Sequence, residues 1–314
     1  SIHHNQQHPI MTNAATSAPS VAAEAPISAE ECAAAASPKR QKPNYKKRAK
    51  ILLLGDSLTQ LSFDARNDGF GAALAHVYQR RADVFNRGFA GYNTDWFLQI
   101  LDTPAGSEDV FGSGAARNGG GNSDNVVLVT IFFGANDASD EVLNPRHHVP
   151  IDRYKSNLKK IVTLSKTKCP DARILIIAPP PVHHEGRLSY QKRRYGDKAT
   201  GKLERNMEIS GQYARGAEEV AQEVGVPCLN LWDKMQSSDE NWGSKYFYDG
   251  LHFSKEGNAL VGQLLLETIS QHFPELKVVP CGITGYWGNS ASVNGEHMPK
   301  IAPWHDEIDY TKPE

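Results

Sequence analysis

The amino-acid sequence predicts an α/β fold, and three features carry that prediction. Short apolar runs that end in glycine or proline recur along the chain. Longer segments with apolar residues at helical spacing separate them. The two kinds of segment alternate from Lys50 onward. Such alternation builds a parallel sheet with helices on both faces. The runs supply five strands, which fit a three-layer, flavodoxin-like sheet of order 2-1-3-4-5. In that arrangement ligands bind beyond the carboxyl ends of the strands, near the point where the order reverses.

The elements follow in order. "KILLLG", Lys50 to Gly55, is a continuous apolar run with a glycine stop, suited to a strand buried on both faces. Gly69 to Ala82 places Leu74, Val77 and Tyr78 at helical spacing. "DVFNRG" is a short second strand, and "NVVLVTIFFG", Asn125 to Gly134, is the strongest strand pattern in the chain. The next helix sets Tyr154, Leu158, Ile161 and Leu164 on one stripe. "ARILIIAPPP" is a strand stopped by prolines. "GQYARGAEEVAQEVG" reads as a helix, "VPCLNLW" as the fifth strand, and the segment from Ser254 as a helix with Ser254 as N-cap. Leu260, Leu264 and Leu265 of that helix are expected to face inward.

The flanks differ in composition. Residues 1–48 are rich in Ala, Ser, Pro, His and Gln and are expected to be disordered; Met11 is a candidate natural start. Their end overlaps the basic run Lys39 to Lys50, which reads as a solvated linker, with a nuclear address as the alternative. Residues 49–274 form the expected folded domain. Residues 275–314 carry Tyr286, Trp287 and Trp304, aromatics that need a surface, either this domain or a second subunit in a homodimer. Residues 102–124 read as a glycine-rich, mobile surface loop.

Length and charge narrow the function classes. The 314 residues carry a formal net charge of -2, which argues against nucleic acid or an anionic membrane as a general partner. No apolar stretch approaches the ~18 residues of a membrane span. Cys32, Cys169, Cys228 and Cys281 are far apart, without a C-x-x-C pair, so neither a zinc ribbon nor a disulfide framework is expected. No uninterrupted apolar leader opens the chain. The expected location is cytoplasmic.

The first strand ends in "GDSLTQ", Gly55 to Gln60. On one reading Gly55 makes a turn and Asp56 or Ser57 caps the next helix. On the other, Ser57 is a nucleophile, and the chain must then supply a base, an orienting carboxylate and oxyanion donors. "YDGLHFSKEG" offers Asp249 and His252 at a spacing that can place both on one turn; a loop histidine near a helix start is the plainer alternative. An ordinary histidine has a pKa of ~6.5, so activity is expected to fall below that pH. "NRGFAGYNT" puts Gly88 and Gly91 where the second strand ends, and "GAND" puts Asn136 just past the third. Each alone reads equally as a turn or a cap. His183, His184 and Glu185, and likewise His147 and His148, read as polar loop residues rather than a metal site. The "APPP" loop and "HHEGRLSYQKRRYGD" are expected to line or rim the site.

Together "GDSLTQ", "NRGFAGYNT", "FFGAND" and "YDGLHFS" resemble the SGNH hydrolases, or GDSL esterase/lipase family, over about residues 50–274. The resemblance implies Ser57 as nucleophile, Asp249 and His252 as the rest of a triad, and an oxyanion hole from the Ser57 and Gly91 N–H groups and the Asn136 amide. "HHVPIDRYKSNL" and "APPP" resemble the isoamyl acetate-hydrolysing subgroup, which implies short acyl esters of small alcohols, no metal and no organic cofactor. A carbohydrate O-deacetylase, a lysophospholipase or a thioesterase of the same fold are the enzymatic alternatives. A flavodoxin-like binding module is the non-enzymatic one, although no phosphate-binding glycine loop follows the first strand.

Overall fold

The computed structural model describes residues 48–112 and 125–278. The amino-terminal tail with most of its basic run, residues 113–124 of the glycine-rich insertion, and the chain from 279 onward lie outside the described residues.

Five strands, β1 (Ala49–Gly55), β2 (Ala82–Gly88), β3 (Val126–Phe132), β4 (Arg173–Ala178) and β5 (Cys228–Asn230), form one sheet. Their order is β2-β1-β3-β4-β5 and every pairing is parallel, the order expected from the alternation of elements. The unbroken apolar run of β1 has a direct cause. Alternate residues point to opposite faces, so Ile51 and Leu53 join one core and Leu52 and Leu54 the other. Both faces are covered by apolar side chains.

The helices are α1 (Ser57–Gln60), α2 (Phe70–Val77), α3 (Thr94–Leu101), α4 (Pro104–Phe111) and α5 (Ile151–Lys168) in the first half. The second half holds α6 (His184–Tyr195), α7 (Met207–Val224), α8 (Leu231–Ser238), α9 (Trp242–Tyr246) and α10 (Lys255–His272). Phe70 and Leu74 of α2, Met235 of α8 and Leu265 of α10 pack with Ile51 and Leu53. Phe97 of α3, Val110 of α4, Leu158 of α5 and Val220 of α7 pack with Leu52 and Leu54. On the α5 stripe, Tyr154, Leu158 and Ile161 are buried and Leu164 is partly so. Ser254 caps α10, its Oγ accepting the Gly257 N–H at 3.1 Å. Leu260 and Leu264 pack partly buried against the core that holds Leu265.

Three local expectations need correction. The 102–124 loop begins as a helix: Thr103 Oγ1 accepts the Gly106 N–H at 3.0 Å, Pro104 opens α4, and Val110 and Phe111 are buried. The fifth strand stops at Asn230 rather than Trp232, because the Asn230 side chain accepts the Asp233 N–H at 3.1 Å and starts α8. The polar stretch after "APPP" is helical as α6. At the carboxyl side, Leu276 and Val278 are buried in the core, and the Tyr78 hydroxyl donates to the Leu276 carbonyl at 2.7 Å. No helix among the described residues is long and apolar enough to cross a membrane.

Candidate active site

The carboxyl ends of the central strands share one rim, where Gly55 is level with Gly88 of β2 and Phe132 of β3. A Cβ on Gly55 would lie 2.0 Å from Thr59 Oγ1 and 2.6 Å from the Phe132 carbonyl oxygen. Only glycine lets α1 fold back this tightly on the strand. Asp56 caps α1, its Oδ1 accepting the Leu58 N–H at 2.9 Å. Ser57 is the first residue of that turn, so its N–H has no intrahelical acceptor. The capping reading of "GDS" therefore holds for Asp56, and it leaves Ser57 at the start of the turn.

Ser57 Oγ lies 2.9 Å from His252 Nε2, and His252 Nδ1 lies 2.8 Å from Asp249 Oδ2. The turn that carries Asp249 and His252 is closed by an antiparallel bridge between Phe247 and Phe253. Asp249 Oδ1 accepts the backbone N–H groups of Leu251 at 2.9 Å and His252 at 2.7 Å. Burial pushes the Asp249 carboxyl up, but the His252 ring and these backbone donors more than offset it and hold it below its ordinary value. It is an ionised group in a buried place.

Gly91 sits at φ +81°, a conformation that L side chains rarely adopt. Its N–H meets no acceptor among the described residues, whereas the Gly88 N–H is already bonded to Asn86 Oδ1 at 2.9 Å. Asn136, 4 % exposed, donates from Nδ2 to the Tyr92 carbonyl at 2.9 Å and accepts at Oδ1 from Arg205 Nη2 at 2.7 Å. Arg205 can only donate and a carbonyl can only accept, so the amide has a single orientation. The second Nδ2 hydrogen is left over.

Arg205 has no counterpart among the sequence expectations. It is buried and also donates from Nε to the Ala135 carbonyl at 2.8 Å. Burial pushes its pKa below the ordinary arginine value, and the neighbouring Glu204 works against that. Glu204 in turn pairs with Arg187, which stands 3.5 Å from Asp249 Oδ2. The only trace in the sequence is the "ER" of "KLERN", ahead of the Asn206 cap of α7. Burial also pushes the Asp56 carboxyl up to about 6 and that of Asp137 to about 7.

A cleft of about 830 Å³ opens over Ser57, Gly91, Asn136 and His252. Arg187, Tyr190, Gln191, Arg194 and Tyr195 of α6 line it, as expected of that stretch, but Pro179, Pro180 and Pro181 are buried and do not border it. The paired histidines diverge. His184 Nε2 accepts the Met207 N–H at 2.9 Å, while the His183 ring packs on Trp242. His147 does reach the cleft, against Trp96, and burial with the Arg205 and Arg146 charges pushes its pKa down. His148 turns to the Ser139 carbonyl instead.

Residues 53–260 match the profile of the GDSL-like lipase/acylhydrolase family. The chain belongs to this family. A GDSL esterase/lipase from Arabidopsis thaliana is 39 % identical over 85 % of this chain and 96 % of its own length. An isoamyl acetate-hydrolyzing esterase 1 homolog from Bos taurus is 37 % identical over 79 % of this chain and 90 % of its own. The solved structure of an acetylxylan esterase from Geobacillus stearothermophilus shares the fold, with a TM-score of 0.51 at 18 % identity over 72 % of this chain and 96 % of its own. This GDSL family member is a carboxylic ester hydrolase, which sets aside the binding-module reading. A hydroxyl beside an imidazole that is steered by a buried carboxylate can be deprotonated as it attacks, and free N–H groups beside it can receive an oxyanion.

Proposed function

We propose that the protein is a serine esterase for short-chain carboxylic esters, acting through an acyl-enzyme on Ser57. The observation that carries this is the unbroken relay from Ser57 Oγ through His252 to the buried Asp249. Ser57 Oγ attacks the ester carbonyl carbon and its proton passes to His252 Nε2. Asp249 holds the ring in the tautomer with hydrogen on Nδ1 and stabilises the imidazolium. The carbonyl oxygen, now negative, is received by the Ser57 and Gly91 N–H groups and the spare Nδ2 hydrogen of Asn136. The bond to the alcohol breaks as His252 returns the proton to the leaving oxygen. Water, deprotonated by His252, then attacks the acyl carbon and frees Ser57. No step calls for a metal or an organic cofactor.

Acetate esters of small alcohols are the favoured substrates, supported by the relatives named for isoamyl acetate hydrolysis. The volume and polar walls of the cleft keep a larger, polar alcohol in play, so O-deacetylation of a carbohydrate is the second reading. The test is hydrolysis of p-nitrophenyl esters from acetate to decanoate, with Ser57→Ala as control. Turnover highest at acetate or butyrate and lost in the variant is expected. A maximum at long chains would move the assignment to a lysophospholipase or thioesterase. Turnover retained by the variant would remove Ser57 as nucleophile.

A further inference from the structure

We propose that the natural ester carries an anionic group, a phosphate or a carboxylate, gripped by a cationic wall of the cleft. The inference rests on the esterase reading and adds the substrate class. Five cationic side chains, Arg187, Arg194, Lys198, Lys202 and Arg205, border the cleft, against one carboxylate, Glu204. The chain as a whole is slightly acidic, at -2, so this excess is a local arrangement and not a reflection of composition.

The five divide into two groups. Arg187 and Arg205 are buried and committed, to Glu204, to Asp249, to the Ala135 carbonyl and to the Asn136 side-chain amide. Arg194, Lys198 and Lys202 are exposed, and no carboxylate among the described residues pairs with them. Arg194 lies over the Tyr195 ring, 5.8 Å from its centre. The plainer account is that cations gather in the last turn of a helix to meet its dipole. It covers Lys192, Arg193 and Arg194, all in the last turn of α6, of which Arg194 alone borders the cleft. It does not cover Lys198 and Lys202, which lie past the helix end and do border it.

Size points the same way. Clefts of ~300–1,000 Å³ hold drug-sized ligands, and this one, at about 830 Å³, leaves most of its volume free around a small acetate ester. Like charges lining a concave surface focus their field on a ligand of opposite sign. Arginine forks and lysine ammonium groups suit phosphate and carboxylate oxygens. The reaction itself is unchanged: ester and water give acid and alcohol, and the anionic group passes through intact.

The experiment compares kcat/KM for 4-acetoxyphenyl phosphate, 4-acetoxybenzoate and the neutral 4-methylphenyl acetate. Each is measured with the wild-type chain and with Arg194→Glu/Lys198→Glu/Lys202→Glu, and the readout is the anionic-to-neutral ratio. Exposed pairs are individually weak, and three reversed together should lower that ratio by ~10-fold. A larger fall for the phosphate than for the benzoate assigns phosphate, and the reverse assigns carboxylate. In the wild type, rising potassium chloride should lower the same ratio. A ratio unmoved by both the substitutions and the salt overturns the proposal and returns these side chains to solvated surface. Should the triple variant fail to fold, Lys198→Gln/Lys202→Gln and the salt series read the same ratio. Failure of the esterase reading itself appears separately, as no Ser57-dependent turnover of the neutral ester.

Discussion

On the side of the cleft where we place the reaction, every group is held. Ser57 is fixed by the turn that follows β1, Gly91 by its left-handed backbone, Asn136 by two partners, and His252 by Asp249. On the side formed by the end of α6 and the chain after it, Arg194, Lys198 and Lys202 are long, exposed and unpaired among the described carboxylates. The contrast separates two jobs. Bond making tolerates little misplacement, since reacting atoms must approach within ~3–3.5 Å in line. Attraction of a charge acts over several ångströms and tolerates mobile side chains. Rigid strand ends suit the first job, and a lysine-bearing segment beyond a helix end suits the second.

Substitutions on the held side should therefore act through kcat, with graded sizes. The largest effect is expected for Ser57→Ala, a loss of ~10⁵–10⁶ in kcat with the fold intact, measured on p-nitrophenyl acetate beside a melting curve. Asn136→Ala should lower kcat by ~10²–10³; an unchanged kcat would take Asn136 out of the oxyanion hole. Arg205→Met should lower kcat by ~10-fold, the size of one lost charge-assisted hydrogen bond. Glu204 would keep Arg187 and Gln191 as partners. If Arg205 acts by orienting the amide, its loss in an Asn136→Ala background should add little; full additivity would make it an independent contributor and blur the division drawn above.

The smallest effect on rate is expected at Asp137, which accepts from Thr94 N at 3.0 Å and from Thr94 Oγ1 at 2.5 Å, away from the cleft. Burial raises its folded-state pKa to about 7, so the folded chain holds this proton more tightly than the unfolded one. Stability should then fall as pH rises from the ordinary aspartate range to about 7 and level off above it. Asp137→Asn should flatten that decline in thermal melts taken across the window. An identical slope in both proteins would show that another group, such as Asp56 with its pKa of about 6, dominates.

Much of the fold and of the site is legible in the sequence. Apolar runs with glycine stops locate the strands, and D-x-x-H marks the turn that meets Ser57. Other elements escape sequence reasoning for identifiable reasons. α4 hides behind the glycines that follow it, although Thr103 and Pro104 are ordinary helix-start residues. α6 carries few apolar residues, so periodicity does not reveal it. The polar side chain of Asn230 ends β5 early by capping α8.

By itself the sequence determined the strand runs, the glycine stops and the residues at each strand end, because those signals lie within a few residues of one another. The parallel sheet follows from their alternation. Only the tertiary structure decided that Arg205 locks the amide of Asn136. The two are 69 residues apart, and no local spacing marks a side chain whose partner arrives from another loop. The same holds for the cationic wall. Lys198 and Lys202 are ordinary surface residues in the chain, and only the folded structure brings them to the border of the cleft that also holds Ser57.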